Sequence, residues 1–353
     1  MNRSEGNVRD SNMELARIVA MAMIVIGHFL FHGIQGTVIP SPLVAPRLGT
    51  EEIAILSLSI LCCAGVDLFM LISGYYGIRL RWKGIISFWL LCVFYNMVAL
   101  LVHTGGHSVG ASDWVNALFI SRTGNWFFPS YFWVMMCSPI VNKALDSFGI
   151  YTLRALAAIG LALFGVSSWR FGNPEANTIM PMMVVYFLGG YIRRERLFDK
   201  ISKKMSISLF FSWALLGLIV AVVVYDCFHK EFGIFFQHNS LIVLGMAASL
   251  LLFFRTLTIR SRFINVWAST VVAALFIQDV IWSQHLYGYV RGLYLSEGLG
   301  WGVLGVIAGL TVGVFVVSFL MEWPRKKVAG YIATKGADWI NKICNLEKML
   351  DNG

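Results

Sequence analysis

Residues 53–76 read IAILSLSILCCAGVDLFMLISGYY, an apolar stretch that contains one charged residue, Asp67. A helix needs about 20 such residues to cross the hydrocarbon core of a bilayer. The whole chain has the same character, because 58% of its 353 residues are hydrophobic and 13% are charged. Soluble domains have about 25% charged residues. The stretch is therefore predicted to be one transmembrane helix of an integral membrane protein.

Further apolar runs of this kind predict an all-α, polytopic membrane protein with about ten transmembrane helices. The predicted spans are Leu15–Phe31, Ile53–Tyr76, Ile85–Val102, Trp126–Leu145, Leu153–Trp169, Ile179–Ile192, Ile207–Tyr225, Ser240–Phe254, Ile264–Ser283 and Trp301–Glu322. Residues 1–324 are expected to form the transmembrane domain and residues 325–353 a cytoplasmic tail. The tail is expected to be either a helix lying on the inner leaflet or a frayed polar segment. The apolar face of such a helix would consist of Trp339, Ile343, Leu346 and Leu350.

The distribution of Lys and Arg predicts the orientation. With a cytoplasmic N-terminus, all but five of the 28 basic residues fall on the cytoplasmic side. The five on the outer side are Arg47, Arg122, Arg170, Lys230 and Arg291. This bias is typical of a multi-pass protein of the cell (cytoplasmic) membrane, here with both termini in the cytoplasm. The net charge of +9 then belongs to the topology and to contact with anionic lipids, so nucleic-acid binding loses its main support.

Three ionisable residues within the predicted spans are functional candidates, because charge is costly inside a membrane. Arg17 and His28 share nearly one face of the first span, roughly 16 Å apart along the helix axis. Asp67 is expected at a depth between them, within reach of either. Structural roles are the alternatives: Arg17 pairs with Glu14 or extends to the lipid head groups. His28 would then bond a neighbouring helix, and Asp67 would join the first two spans.

Three motifs resemble the acyltransferase-3 family of membrane O-acyltransferases. The family's hallmark, a basic residue followed by ten residues and a histidine, matches Arg17 and His28. The segment GVDLFMLISGY at 65–75 is similar to the family's Gly-Val-Asp-x-Phe-Phe-x-x-Ser-Gly-Phe segment, and WFFPSY at 126–131 is similar to its fourth-span pattern. One departure is Gln278, which stands where the late span of the family often has a histidine.

The resemblance implies a reaction. A membrane-embedded O-acyltransferase would move an acyl group, expected to be acetyl, from cytoplasmic acetyl-CoA to a hydroxyl of a cell-envelope or exported glycan. His28 would be the general base on that hydroxyl, and Asp67 would orient His28 or hold Arg17. A covalent acyl-histidine intermediate is the alternative to direct transfer.

Binding residues follow from the same resemblance. Acetyl-CoA is expected as a cosubstrate, with no permanently bound cofactor. Its phosphates are expected at a basic group formed by Arg17, Arg79, Arg81 and Lys83. The glycan or lipid-linked saccharide is expected at Trp126, Tyr131 and His32. A metal site is not expected, because no acidic third ligand follows the His28-x-x-x-His32 pair.

Two functions of other classes compete with this one. A transporter or flippase would use Arg17, Asp67 and His28 as a pathway for protons or substrate. Such a protein is expected to have two related halves with interrupted helices, and the sequence has no evident internal repeat. A non-catalytic membrane partner of an envelope assembly complex would tolerate the loss of His28.

Overall fold

The computed structural model describes residues 10–35, 47–105, 109–166, 179–236, 238 and 240–350. Within these ranges the chain forms helices and no strand. The helices are α1 Ser11–Gln35, α2 Thr50–Tyr76, α3 Trp82–Thr104, α4 Ala111–Ala117, α5 Phe127–Ser147, α6 Ile150–Gly160, α7 Ile179–Arg194, α8 Lys203–Phe228, α9 Leu241–Arg255, α10 Arg262–Ile281, α11 Ser283–Glu297 and α12 Trp301–Leu350. Arg170 and the end of the predicted span 153–169 lie outside the described residues.

Six of the described helices are long and apolar enough to cross a membrane: α1, α2, α3, α8, α10 and α12. The other four predicted spans coincide with α5, α6, α7 and α9. The structure therefore confirms an all-helical fold over the described ranges, with six helices that could span a membrane. The total of ten spans and the cytoplasmic position of both termini stay predictions.

Glycines bring the helices around α2 into close contact. A Cβ added at Gly65 would lie 2.7 Å from the carbonyl oxygen of Ala20 in α1. A Cβ at Gly74 would overlap the carbonyl of Tyr186 in α7, and one at Gly189 would overlap that of Leu71. Small residues at helix crossings let backbones approach in this way where lipid provides no hydrophobic driving force. The helices α1, α2 and α7 are thereby packed closely against one another.

The last helix does not end where the predicted tail begins. α12 continues through Pro324, although proline removes one backbone hydrogen bond from a helix interior. Next to it, Glu322 accepts a 2.8 Å hydrogen bond from Nη2 of Arg325 and one of 3.1 Å from the hydroxyl of Tyr95 in α3. These bonds tie α12 to α3 at this point. The boundary drawn after residue 324 is thus not a break in secondary structure.

The tail part of α12 has a buried stripe and an exposed one. Ala333 and Ala337 are buried, and Gly336 lies against Ile86 of α3. On the predicted apolar face, Trp339 and Ile343 are exposed, while the side chains of Leu346 and Leu350 lie outside the described residues. Contact of this face with the inner leaflet stays a prediction.

We expect Gly74→Ala and Gly189→Ala to destabilise the protein by about 1–3 kcal/mol each, because the added methyl group forces α2 and α7 apart. Gly305→Ala is the matched control, since a Cβ there meets no atom within 4 Å. Thermal unfolding of the detergent-solubilised protein measures the effect. Equal Tm values for Gly74→Ala and Gly305→Ala would contradict the close packing of α2 and α7.

Candidate functional site

A cavity of about 420 Å³ lies between α1, α2 and the start of α5. Its walls are mainly apolar, with Ile24, Ile60 and Phe236 among them. Side chains that can form hydrogen bonds also line the cavity, among them His28, His32, Ser59, Asn125, Trp126 and His238. A mostly apolar cavity with a few converging polar groups is the usual form of a small-molecule site.

Two π-helical turns meet at His28. In α1 the α-helical part ends at His28 and continues as a π-helical turn, Phe29–Gln35. In α10 the segment Phe276–Ile281 is also π-helical. Such turns are rare and occur often at functional sites, because the wider turn moves side chains away from their regular helical positions. The buried Gln278 joins the two helices by donating a 2.7 Å hydrogen bond to the carbonyl of Val25.

Asp279 is the carboxylate that the structure places beside His28. Its Oδ1 lies 3.9 Å from Nδ1 of His28, too far for a hydrogen bond but close enough for an ion pair. Two neutral donors fix the carboxylate: the hydroxyl of Tyr287 donates to Oδ1 at 3.0 Å, and Nδ2 of Asn125 donates to Oδ2 at 2.5 Å. The side chains of His28 and Asp279 are 22% and 21% exposed. The pair is thus held in place while keeping access to the cavities around it.

Asn125 is itself positioned by the start of α5. Its Oδ1 accepts a 2.8 Å hydrogen bond from the backbone N–H of Phe127. An Asn side chain often accepts a hydrogen bond from the backbone two residues further on and so closes a local turn. The same side chain therefore closes the turn before α5 and orients Asp279.

A second histidine–carboxylate pair lies at the same cavity. Nδ1 of His238 is 3.6 Å from Oδ1 of Asp67, whose side chain is 2% exposed. The imidazole of His238 packs against the indole of Trp126, with 5.0 Å between ring centroids. Asp67 thus lies beside a histidine of the segment between α8 and α9.

A polar hollow of about 510 Å³ adjoins the His28 pair on the side of α11. Its lining is rich in hydrogen-bonding side chains: His32, Asp279, Ser283, Gln284, Tyr287 and Arg291. Arg291 also donates a 2.8 Å hydrogen bond to the carbonyl of His32 and so ties α11 to the π-helical turn of α1. His32 lines both this polar hollow and the apolar cavity, so the two spaces meet next to the His28–Asp279 pair.

The structure places some of the predicted site residues at the apolar cavity and the others elsewhere. His28, His32 and Trp126 line the apolar cavity, and Asp67 lies behind His238. Arg17 bonds Glu14 at 2.7 Å, as its structural alternative requires. The predicted binding roles of these residues stay predictions.

The remaining predicted residues lie away from that cavity lining. Tyr131 packs in an aromatic group with Phe127 and Phe88, at 5.6 and 5.5 Å between ring centroids. Arg81 and Lys83 line a separate hollow of about 420 Å³ with Asn341 of α12. Arg79 is exposed nearby in sequence, between α2 and α3.

Sequence reasoning missed Asp279 as a site residue, and it missed the pairing of His238 with Asp67. Asp279 lies in the predicted span 264–283, so the cost of an intramembrane carboxylate was a signal for it. His238 belongs to a segment outside the predicted spans, where a histidine carries no such signal. Only the tertiary fold brings it to Asp67.

No group of three or more His, Cys, Asp or Glu side chains able to hold a metal ion occurs in the described part of the chain.

Residues 10–323 match the model of the family Acyl_transf_3, described as an acyltransferase domain. The chain belongs to the acyltransferase-3 family. No curated protein and no solved structure gave a match. As a member of this family with several membrane-spanning helices, the protein is a membrane acyltransferase.

We expect Tyr287→Phe to lower the rate of acyl transfer about tenfold, because Asp279 loses one of its two fixing hydrogen bonds, worth about 1.4 kcal/mol. Tyr289→Phe is the matched control on α11, since Tyr289 is 58% exposed. The rate of transfer of a labelled acyl group is the measured quantity. Equal rates for the two variants would contradict a role of Tyr287 in positioning the carboxylate.

Proposed function

We propose that this acyltransferase moves an acetyl group from acetyl-CoA to a hydroxyl of a cell-envelope or exported glycan, with His28 as general base. The observation that carries the proposal is the position of His28 beside Asp279, between an apolar cavity and a polar hollow. Transfer from a thioester to a sugar requires two substrates of different polarity to meet at one base. The site offers that combination in a chain of an acyltransferase family.

His28 is suited to accept a proton from the acceptor hydroxyl. Its Nδ1 faces Asp279, so Nε2 is the nitrogen left for the hydroxyl. A carboxylate behind an imidazole fixes its orientation and stabilises the imidazolium that forms during proton transfer. The 3.9 Å separation is compatible with this role, because such contacts often shorten when substrate binds.

The acceptor fits the polar hollow by its chemistry. Saccharides carry many hydroxyls, and this hollow presents a carboxylate, an amide, a guanidinium and two side-chain hydroxyls that can hydrogen-bond them. Asp279 and His32 belong to it, so a hydroxyl bound there lies next to the base. We propose a glycan or lipid-linked saccharide as the occupant, with Trp126 as a further contact at the apolar cavity.

The donor is proposed to enter from the cytoplasmic side. Arg81 and Lys83 line a hollow against α12, with Arg79 exposed before them, and offer positive charge to the phosphates of CoA. The pantetheine arm and the thioester would then extend into the apolar cavity. The Glu14 ion pair engages Arg17, which makes Arg17 the weaker of the proposed phosphate contacts.

We propose that α5, α6, α7 and α9 also cross the bilayer, which makes ten spans in the cytoplasmic membrane with both termini inside. The bias of Lys and Arg supports this orientation. Family membership favours the enzyme over the transporter or flippase that the intramembrane Arg17, Asp67 and His28 also suggested.

We expect His28→Ala to lower acetyl transfer about 100- to 10,000-fold, the usual contribution of a general base. The purified protein would be given labelled acetyl-CoA and p-nitrophenyl glycosides of a hexose, a 6-deoxyhexose and an N-acetylhexosamine as acceptors. Transfer of the label to a glycoside is the measured quantity. His285→Ala, at an exposed histidine of α11, is the control and should keep the wild-type rate.

The size-exclusion profile of each variant reports whether it is folded. A folded His28→Ala protein with the wild-type rate would overturn the role of His28. Wild-type protein that consumes no acetyl-CoA with any of these acceptors, nor with the lipid-linked saccharides of native membranes, would overturn the proposed reaction.

A further inference from the structure

His238 is an unusual residue in the cavity that the reaction uses. It lies in the segment between α8 and α9, yet it reaches the wall that also carries His28 and Trp126. The proposed general base alone does not explain a second imidazole at this place.

The environment of His238 differs from that of a histidine used only for packing. Its Nδ1 is buried and has no hydrogen-bond partner among the described residues. The nearest carboxylate, Asp67, is 3.6 Å away and almost fully buried. A carboxylate at this position orients the ring and compensates a positive charge on it. The indole of Trp126 packs against the same ring.

The two pairs lie in different surroundings. The His28 pair reaches the polar hollow through Asp279 and His32. His238 lines only the apolar cavity among the described hollows, together with Ile60 and Phe236. If the acceptor hydroxyl approaches from the polar side, the thioester and its sulfur occupy the side where His238 is.

We propose that His238 is a second catalytic residue, the proton donor to the sulfur of the departing CoA, and that Asp67 is its positioning residue. This inference rests on the proposed acetyl transfer. The acceptor oxygen forms a bond to the carbonyl carbon while His28 takes its proton. The carbon–sulfur bond breaks, and the sulfur receives a proton from His238 and leaves as the thiol.

Water returns the site to its starting state. His28 releases the proton that it took, and His238 takes one up, so the atoms and charges balance over one turnover. In this scheme the first histidine serves bond formation and the second serves bond cleavage. The two roles depend differently on the leaving group of the donor, which makes them separable by experiment.

The experiment compares two donors with the same CoA portion: acetyl-CoA and its oxygen-ester analogue, in which oxygen replaces the sulfur. An alkoxide is a much poorer leaving group than a thiolate and needs its proton more. For His238→Gln we expect a loss of about tenfold with the thioester and about 1,000-fold with the oxygen ester, within the range of general acid catalysis. Single-turnover transfer of labelled acetyl to the best glycoside acceptor measures both.

Three further variants keep the test decisive. Asp67→Asn should also lower the rate more with the oxygen ester than with the thioester, but by smaller factors than His238→Gln. His238→Asn replaces His238→Gln if His238→Gln fails to fold. His285→Gln, at an exposed histidine, should leave both rates unchanged. A structural role of His238 would lower both rates by the same factor.

Equal losses with the two donors, or no loss in folded His238 variants, would overturn the assignment while leaving the role of His28 intact. Wild-type protein without acetyl transfer to any acceptor would overturn the proposed function and this inference with it. The two failures are thus distinguishable from the wild-type measurement alone.

Discussion

The structure depends on the cost of placing ionisable groups in the apolar interior of a membrane protein. Such groups are kept only where partners compensate them. Asp279 meets this condition through the hydroxyl of Tyr287 and the amide of Asn125, and it faces Nδ1 of His28. The same constraint pairs Asp67 with His238. The elements that supply these partners, α1, α2, α10, α11 and the start of α5, are therefore fixed relative to one another.

Sequence periodicity and hydropathy predicted the helices well, because apolar runs of bilayer length leave few alternatives. Each predicted span coincides with a helix at least in part. The helix α12 continues past the boundary predicted after residue 324. Proline in a sequence marks a lost backbone hydrogen bond, but it does not show whether the helix continues beyond it.

The candidate site was predictable in part. His28 was found from its depth in the first span and from the family motif, and it lines the cavity. Asp279, the carboxylate next to His28, was not found, because helical spacing relates residues within one helix and gives no information about contacts between α1 and α10. Two π-helical turns, at Phe29–Gln35 and Phe276–Ile281, set the geometry of that contact. Regular helical spacing does not predict such turns. The contact between His238 and Asp67 was missed for a different reason, since His238 lies outside the predicted spans and only the tertiary fold brings it to Asp67.

The central claim is that acyl transfer occurs where the apolar cavity meets the polar hollow, at His28. The most direct test is a structure of the protein with acetonyl-CoA, in which a methylene between carbonyl and sulfur prevents transfer. The oxygen of a hydroxyl bound to the base lies about 3 Å from the His28 nitrogen and attacks a carbonyl carbon about 3 Å away. We therefore expect the carbonyl carbon of the acetonyl group within about 6 Å of the His28 ring. Binding of the acetonyl group at any place outside the cavity shared by His28 and His238 would contradict it.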